Sequence, residues 1–178
     1  MHGRGGQGAV TSAELLAQAA IAEGKYAQAF PSFGPERRGA PVQAFVRISD
    51  SPIRVRAEVI EPDIVVVLDP GLLGIIKVTG GLKANGILVI NAKSGESVPA
   101  DIRKGWNVAT IDASSIAREV LGVPIVNTTM LGALVKASRV VQLDSMLEPL
   151  KKRFGKLAEK NFDSMKRAYD ETRVKELV

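Results

Sequence analysis

Near the start of the chain, Gly3-Arg4-Gly5-Gly6-Gln7-Gly8 supplies four glycines in six residues and runs straight into an apolar-periodic stretch, Ala9 to Glu23. Ala13, Leu16, Ala17, Ala20 and Ile21 fall on one face of that stretch, the pattern of an amphipathic helix. Glycines let a backbone approach a ligand closely, and the first amides of a helix are unpaired donors at its positive end. The chemistry on offer is therefore binding of a phosphate or another anion. The alternative is a tight strand-to-helix turn packed against other protein. Gly3, Gly5 and Gly8 also satisfy the dinucleotide pattern G-x-G-x-x-G. Two features argue against a dinucleotide. Only Met1 and His2 precede Gly3, so the strand that should lead into the loop is missing, as if trimmed or supplied otherwise. The next strand, Lys25 to Phe30, ends without the acid that would hold a ribose.

A second stretch rich in special residues is Pro31-Ser-Phe-Gly-Pro-Glu-Arg-Arg-Gly-Ala-Pro41. Arg37 and Arg38 are suited to bidentate binding of a carboxylate or phosphate, or to a contact with Glu36 or a partner subunit. Catalytic groups are otherwise scarce. There is one histidine, His2, and no cysteine, so thiol nucleophiles, disulfides and cysteine-held clusters are excluded from this chain. Neither Gly-x-Ser-x-Gly nor a P-loop occurs. Backbone-donor loops with few titratable groups fit a binding or assembly subunit, not a stand-alone catalyst.

The elements that position these loops follow from periodicity. Val42 to Ile48 and Ile53 to Val59 alternate apolar and polar around Ser49-Asp-Ser-Pro52, which predicts an antiparallel hairpin. Ile64 to Leu68 and Ile87 to Ile90 are continuous apolar runs, as in parallel strands covered on both faces, and Asn107 to Ile111 is a weaker copy. Asp69 falls at a strand's carboxyl end, where open α/β sheets keep their ligand clefts. Leu72 to Thr79, Ser114 to Leu121, a helix capped by Asn127, Leu143 to Phe154 and Leu157 to Leu177 complete the helices. Met165 and Tyr169, four apart, share a packing face. The expected fold is a doubly wound α/β domain, 1–178. Its mixed sheet has helices on both faces and an antiparallel hairpin insertion. The α/β core is 1–142 and the C-terminal helical segment 143–178.

At 178 residues and 46% hydrophobic content, the chain is long enough for one domain with a real core, built from aliphatic residues because aromatics are only 4%. No apolar run reaches membrane-spanning length and no leader pattern is visible, which makes a cytoplasmic protein with no membrane association the expectation. The net charge of +5 sits mainly beyond Pro149, where nine Lys or Arg face five Asp or Glu. A solvated helix or subunit contact accounts for this better than a nucleic-acid partner.

Four stretches in order, His2 to Gly8, Phe30 to Pro41, Ile64 to Asp69 and Asn127-Thr-Thr-Met-Leu-Gly-Ala-Leu134, resemble the gamma subunits of 2-oxoacid:ferredoxin oxidoreductases, and among them the pyruvate type. Asn161 to Tyr169 resembles the family's closing helix. The resemblance implies a complex that interconverts pyruvate, coenzyme A (CoA) and oxidised ferredoxin with acetyl-CoA, CO2 and reduced ferredoxin. It implies thiamine diphosphate and Mg2+ between alpha and beta subunits, iron-sulfur clusters in the beta and delta subunits, and no catalytic residue or metal in this chain. Family gamma chains usually have a strand before the position of His2. Gly3, Arg4, Gly5, Gly6, Gln7 and Gly8, with Arg37 and Arg38, become candidates for a CoA phosphate or a subunit contact. A subunit acting on 2-oxoglutarate or 2-oxoisovalerate, and a stand-alone nucleotide-binding regulator, are the alternatives.

Overall fold

The computed structural model describes residues 1–32 and 39–175. Its centre is a seven-stranded mixed sheet in the order β2-β3-β1-β4-β5-β6-β7. The strands are β1 (His2–Arg4), β2 (Tyr26–Pro31), β3 (Pro41–Ser49), β4 (Ile64–Val67), β5 (Ile87–Asn91), β6 (Asn107–Ile111) and β7 (Arg173–Lys175). β1, β4, β5 and β6 are parallel neighbours, whereas β3 runs antiparallel to both β1 and β2, and β7 antiparallel to β6.

The continuous apolar runs are strands buried on both faces. In β4 and β5, Val66 and Val89 point to one hydrophobic cluster, and Val65, Val67, Leu88 and Ile90 to another. The first cluster is roofed by α1 (Ala9–Ala22), α3 (Ala113–Leu121), α4 (Asn127–Ser138), α5 (Leu147–Phe154) and α6 (Ala158–Glu171). The second is covered by the short α2 (Ala100–Gly105), the turn after Asp69 and Trp106. Helices thus lie on both faces, unevenly.

Five expectations are corrected. The strand before the glycine loop is present, because His2–Arg4 pairs with β3 and β4. The antiparallel partner of Val42 to Ile48 is β2, with Tyr26 opposite Ser49 and Pro31 opposite Ala44. Residues 53–59 form no strand: Arg54, Val55 and Arg56 are exposed, and the segment is held by Arg47 Nη2 donating to Glu58 O at 3.1 Å and Ser32 Oγ donating to Glu58 Oε1 at 2.9 Å. Its alternation has no buried face to exploit. Leu72 to Thr79 contributes only a 3-10 turn, Pro70–Gly74, started by Asp69 Oδ1 accepting from Gly71 N at 2.8 Å. Finally, α6 stops at Glu171 and the chain returns as β7, so the C-terminal segment completes the sheet edge instead of continuing as helix.

α4 and α6 are joined by buried polar pairs. Thr129 Oγ1 and Ser164 Oγ lie 2.6 Å apart, and Thr128 Oγ1 donates to Asn161 Oδ1 at 2.8 Å. Thr129 and Ser164 are fully buried, so removing one hydroxyl leaves the other without a partner in an apolar setting. Ser164→Ala is expected to cost about 2 kcal/mol in denaturant unfolding, and Thr129→Val added to it to restore most of that loss. A double variant as unstable as the single one would contradict this pairing.

Candidate functional site

The glycine loop leaves β1 at the carboxyl end of the parallel strands and enters α1 there. Its turn is closed twice: Gln7 N donates to Arg4 O at 2.9 Å, and Arg4 N donates to Gln7 Oε1 at 2.7 Å. Asp69, at the end of β4, anchors it. Arg4 Nε and Gln7 Nε2 donate to Asp69 Oδ2 at 2.9 and 3.0 Å, while Oδ1 takes Gly71 N. Arg4 Nη1 donates to Gly39 O at 3.1 Å, and Gly5 N to Ala40 O at 2.9 Å. The chain emerging after residues 33–38 is therefore tied to the loop. Arg37 and Arg38 themselves lie outside the described residues.

Beyond Gly5, which bonds Ala40, the loop residues divide by role. Gly3 is a buried packing position, where a Cβ would sit 3.2 Å from Leu68 Cδ1. Gly8 has φ +79° and its missing Cβ leaves room for Asn127, whose Nδ2 would otherwise be 2.5 Å away. Arg4 and Gln7 are spent on Asp69. Gly6, with φ +92° and, among the described residues, no atom within 4 Å of a would-be Cβ, is the exposed point of the turn. Among the described residues no side chain caps α1, so its first amides are unpaired donors at the positive end of the helix within that set.

Two residues that sequence reasoning did not link to the loop stand beside this helix start. Asn127 opens α4 against Gly8; it is the first helical residue and caps nothing, since Val126 occupies the cap position. Arg153 at the end of α5 brings Nη2 to 3.5 Å from Thr11 Oγ1. The only sequence signal for Arg153 was its basic neighbourhood, 142 residues downstream of Thr11. Deeper in, buried Asn91 donates through Nδ2 to Leu68 O and Ser114 Oγ, both at 3.0 Å, tying the ends of β4 and β5 to α3.

The loop offers backbone donors at the start of α1. His2 is held mostly neutral, its pKa lowered to about 4 first by burial and then by the adjacent N-terminal amine, and its Nδ1 faces Gln43 Nε2 at 3.3 Å. Among the described residues no three His, Asp or Glu side chains gather to hold a metal, and no helix is long and apolar enough to cross a membrane. A dinucleotide fits poorly for a new reason. The strand after α1 is an outer antiparallel strand, and the acid that ends the parallel neighbour of β1, Asp69, already has both oxygens engaged.

A family model described as pyruvate ferredoxin/flavodoxin oxidoreductase matches residues 1–171. The common gamma subunit of the pyruvate/ketoisovalerate oxidoreductases of Pyrococcus furiosus is 54% identical over 99% of this chain and 97% of its own. Pyruvate synthase subunit PorC of Methanothermobacter thermautotrophicus is 55% identical over 96% of this chain and 92% of its own. Among solved structures, pyruvate oxidoreductase subunit PORC from Thermotoga maritima superposes with a TM-score of 0.84 at 38% identity, covering 98% of this chain and 96% of the other.

Proposed function

Because the chain belongs to the pyruvate ferredoxin/flavodoxin oxidoreductase family, as a gamma subunit, we propose that it works in the cytoplasm within a complex of alpha, beta and delta subunits. That complex interconverts pyruvate, CoA and oxidised ferredoxin with acetyl-CoA, CO2 and reduced ferredoxin. Thiamine diphosphate, Mg2+ and the iron-sulfur clusters reside in the partner subunits. This chain supplies no thiolate for a cluster, having no cysteine. The choice of 2-oxoacid lies outside this subunit: the Pyrococcus furiosus relative carries a name shared by pyruvate and ketoisovalerate enzymes.

The chain's own part is to present the start of α1 to a phosphate of CoA. The observation that carries this is the uncapped helix start behind the exposed left-handed Gly6, with Arg153 beside it. Backbone donors of this kind suit a phosphate because they carry no charge of their own to desolvate and lie at the positive end of the helix dipole. Arg38, one residue before the Gly39 that bonds Arg4, is the natural side-chain partner.

In the assembled complex, Arg153→Ala and Arg38→Ala are each expected to raise the apparent KM for CoA about tenfold, the loss of one charge-assisted hydrogen bond, with the KM for pyruvate unchanged. An unchanged CoA KM in an intact Arg38→Ala complex removes that arginine from the site. If the loop only packs against alpha, the same variants weaken co-purification and leave CoA kinetics alone. A stand-alone nucleotide-binding regulator would instead bind NAD as the isolated chain, which isothermal titration checks directly.

A further inference from the structure

β2 is the outermost strand of the sheet, bonded to β3 on one side only among the described residues. The register fixes which of its backbone groups face outward. Ala44 N donates to Met1 O at 2.9 Å, so Ala44 bonds toward β1, while Gln43, Phe45 and Arg47 bond toward β2. Ser32 N donates to Gln43 O at 2.9 Å, and Phe30 and Gln28 stand opposite Phe45 and Arg47. The N–H and C=O groups of Ala27 and Ala29 therefore point away from β3. Outward donors stop there on both sides: Pro31 has no N–H, and Lys25 N is spent on Ala20 O at 3.0 Å.

From Tyr26 to Pro31 this edge carries no charged side chain and no bulge, two of the devices that keep a strand edge from pairing. Gln28, between the two alanines, buries an Oε1 that has no hydrogen-bond partner among the described residues. It borders a cavity of about 300 Å³ that Gln28, Ala29, Phe30 and Arg56 line. Tyr26, Gln28 and Phe30 share one face of the strand, and Tyr26 is 48% exposed. Two open backbone donors, an amide oxygen without a donor and an exposed ring thus lie along one short strand.

We propose that β2 pairs with β2 of a second copy of this chain, antiparallel about a two-fold axis at Gln28, so that the sheet runs on across the dimer. This register sets Ala27 opposite the partner's Ala29 on each side of the axis. Each Ala27 N then donates to the partner's Ala29 O, each Ala29 N to the partner's Ala27 O, and every outward donor is matched. The two Gln28 side chains meet as a non-hydrogen-bonded pair, the closest kind, where each Oε1 accepts from the other amide. Tyr26 falls opposite the partner's Phe30, an aromatic cross-strand pair made twice. An unrelated strand could use the two backbone donors, but it would have to bring an amide and two aromatic rings in the same order. A second copy brings them by symmetry. The proposal rests on this edge and not on any anion at the glycine loop.

The chain has no cysteine, so Gln28→Cys introduces a single thiol. Non-hydrogen-bonded antiparallel partners have Cα atoms about 4.5 Å apart, within reach of a disulfide. Mild oxidation of the Gln28→Cys chain, alone and in the assembled complex, is expected to link two copies of this chain covalently. Ser32→Cys, about 27 Å from its counterpart in this register, should give no such link. Ala29→Pro removes one outward N–H from each copy at an edge position that tolerates proline, and is expected to weaken dimerisation at least tenfold in sedimentation velocity. Gln28→Lys, which sets two like charges face to face, should do the same and keeps the test decisive if proline disturbs the strand. The proposal is overturned by a wild-type chain that sediments only as a monomer, by equal disulfide formation at Ser32→Cys, by dimerisation that both variants leave unaltered, or by a Gln28→Cys disulfide to a different subunit in place of a second copy.

Discussion

Gly132→Ala is expected to lower the thermal midpoint of the isolated chain by roughly 10 °C, the consequence of losing about 3 kcal/mol in a domain of this size. Gly132 lies in the middle of α4, where α6 crosses. A Cβ there would overlap the Met165 carbonyl oxygen and sit 2.9 Å from Met165 C and 3.1 Å from Tyr169 N. All three are backbone atoms, so no side chain can swing away; the helices must separate. Separation also loosens the Thr128–Asn161 and Thr129–Ser164 pairs and opens the packing around Met165 and Ala168, both fully buried. Overpacking of this kind costs about 1–3 kcal/mol by itself, and strained buried hydrogen bonds add to it. Gly105→Ala, at a position where no described residue comes within 4 Å of the added Cβ, is the control and should be close to neutral. Differential scanning calorimetry of the two variants decides: equal midpoints would mean that α4 and α6 do not meet at Gly132.

The second large effect is expected at Asp69. Asp69→Ala strips an acceptor from Arg4 Nε, Gln7 Nε2 and Gly71 N at once. The Arg4 and Asp69 side chains are 30% and 20% exposed, so the cost falls below that of a fully buried pair, about 2 kcal/mol. The functional effect should be larger than the loss of stability suggests, because Asp69 fixes both ends of the turn that exposes Gly6. An assembled complex carrying Asp69→Ala is expected to show a CoA KM raised at least tenfold with the pyruvate KM unchanged. A double-mutant cycle with Arg4→Ala should give a coupling of about 1 kcal/mol or more. Additive effects, or equal changes in both KM values, would show that Asp69 acts on general stability and not on the loop.

Much of this framework can be read from the sequence where local pattern and tertiary role agree. The runs from Ile64 and Ile87 are central strands because nothing polar interrupts them, and Ala9 to Ala22 is a helix because its small apolar face suits close packing on β2 and β3. The misreadings share one cause. Ile53 to Val59 alternates like a strand, but alternation only specifies a strand when a partner edge is free, and β2 already occupies the far edge of β3. Arg173 to Lys175 reads as more helix, because a three-residue edge strand with two charges has no pattern of its own; only its pairing with Val108 to Thr110 defines it. At the site, the loop was legible from its glycines and Asp69 from its place at a strand end. Asn127 and Arg153 were not, since their nearness to Gly8 and Thr11 is created by the crossing of helices far apart in the chain.

The position of β1 governs the order in which this molecule is assembled during synthesis. β1 emerges before the other strands, yet it lies in the middle of the sheet, between β3 and β4, and the edge next to β6 is closed by residues 173–175. The layering of α6 on α4 likewise waits until residues 158–171 have been made. A nascent chain therefore carries unsatisfied strand edges and an uncovered apolar helix face until residues 158–175 have left the ribosome. Non-local closures of this kind fold slowly and expose aggregation-prone surface meanwhile. Yield of the native subunit is consequently a competition between late closure and off-pathway association, and slower growth temperature or co-expressed chaperone should shift it further than any improvement in the stability of the finished fold.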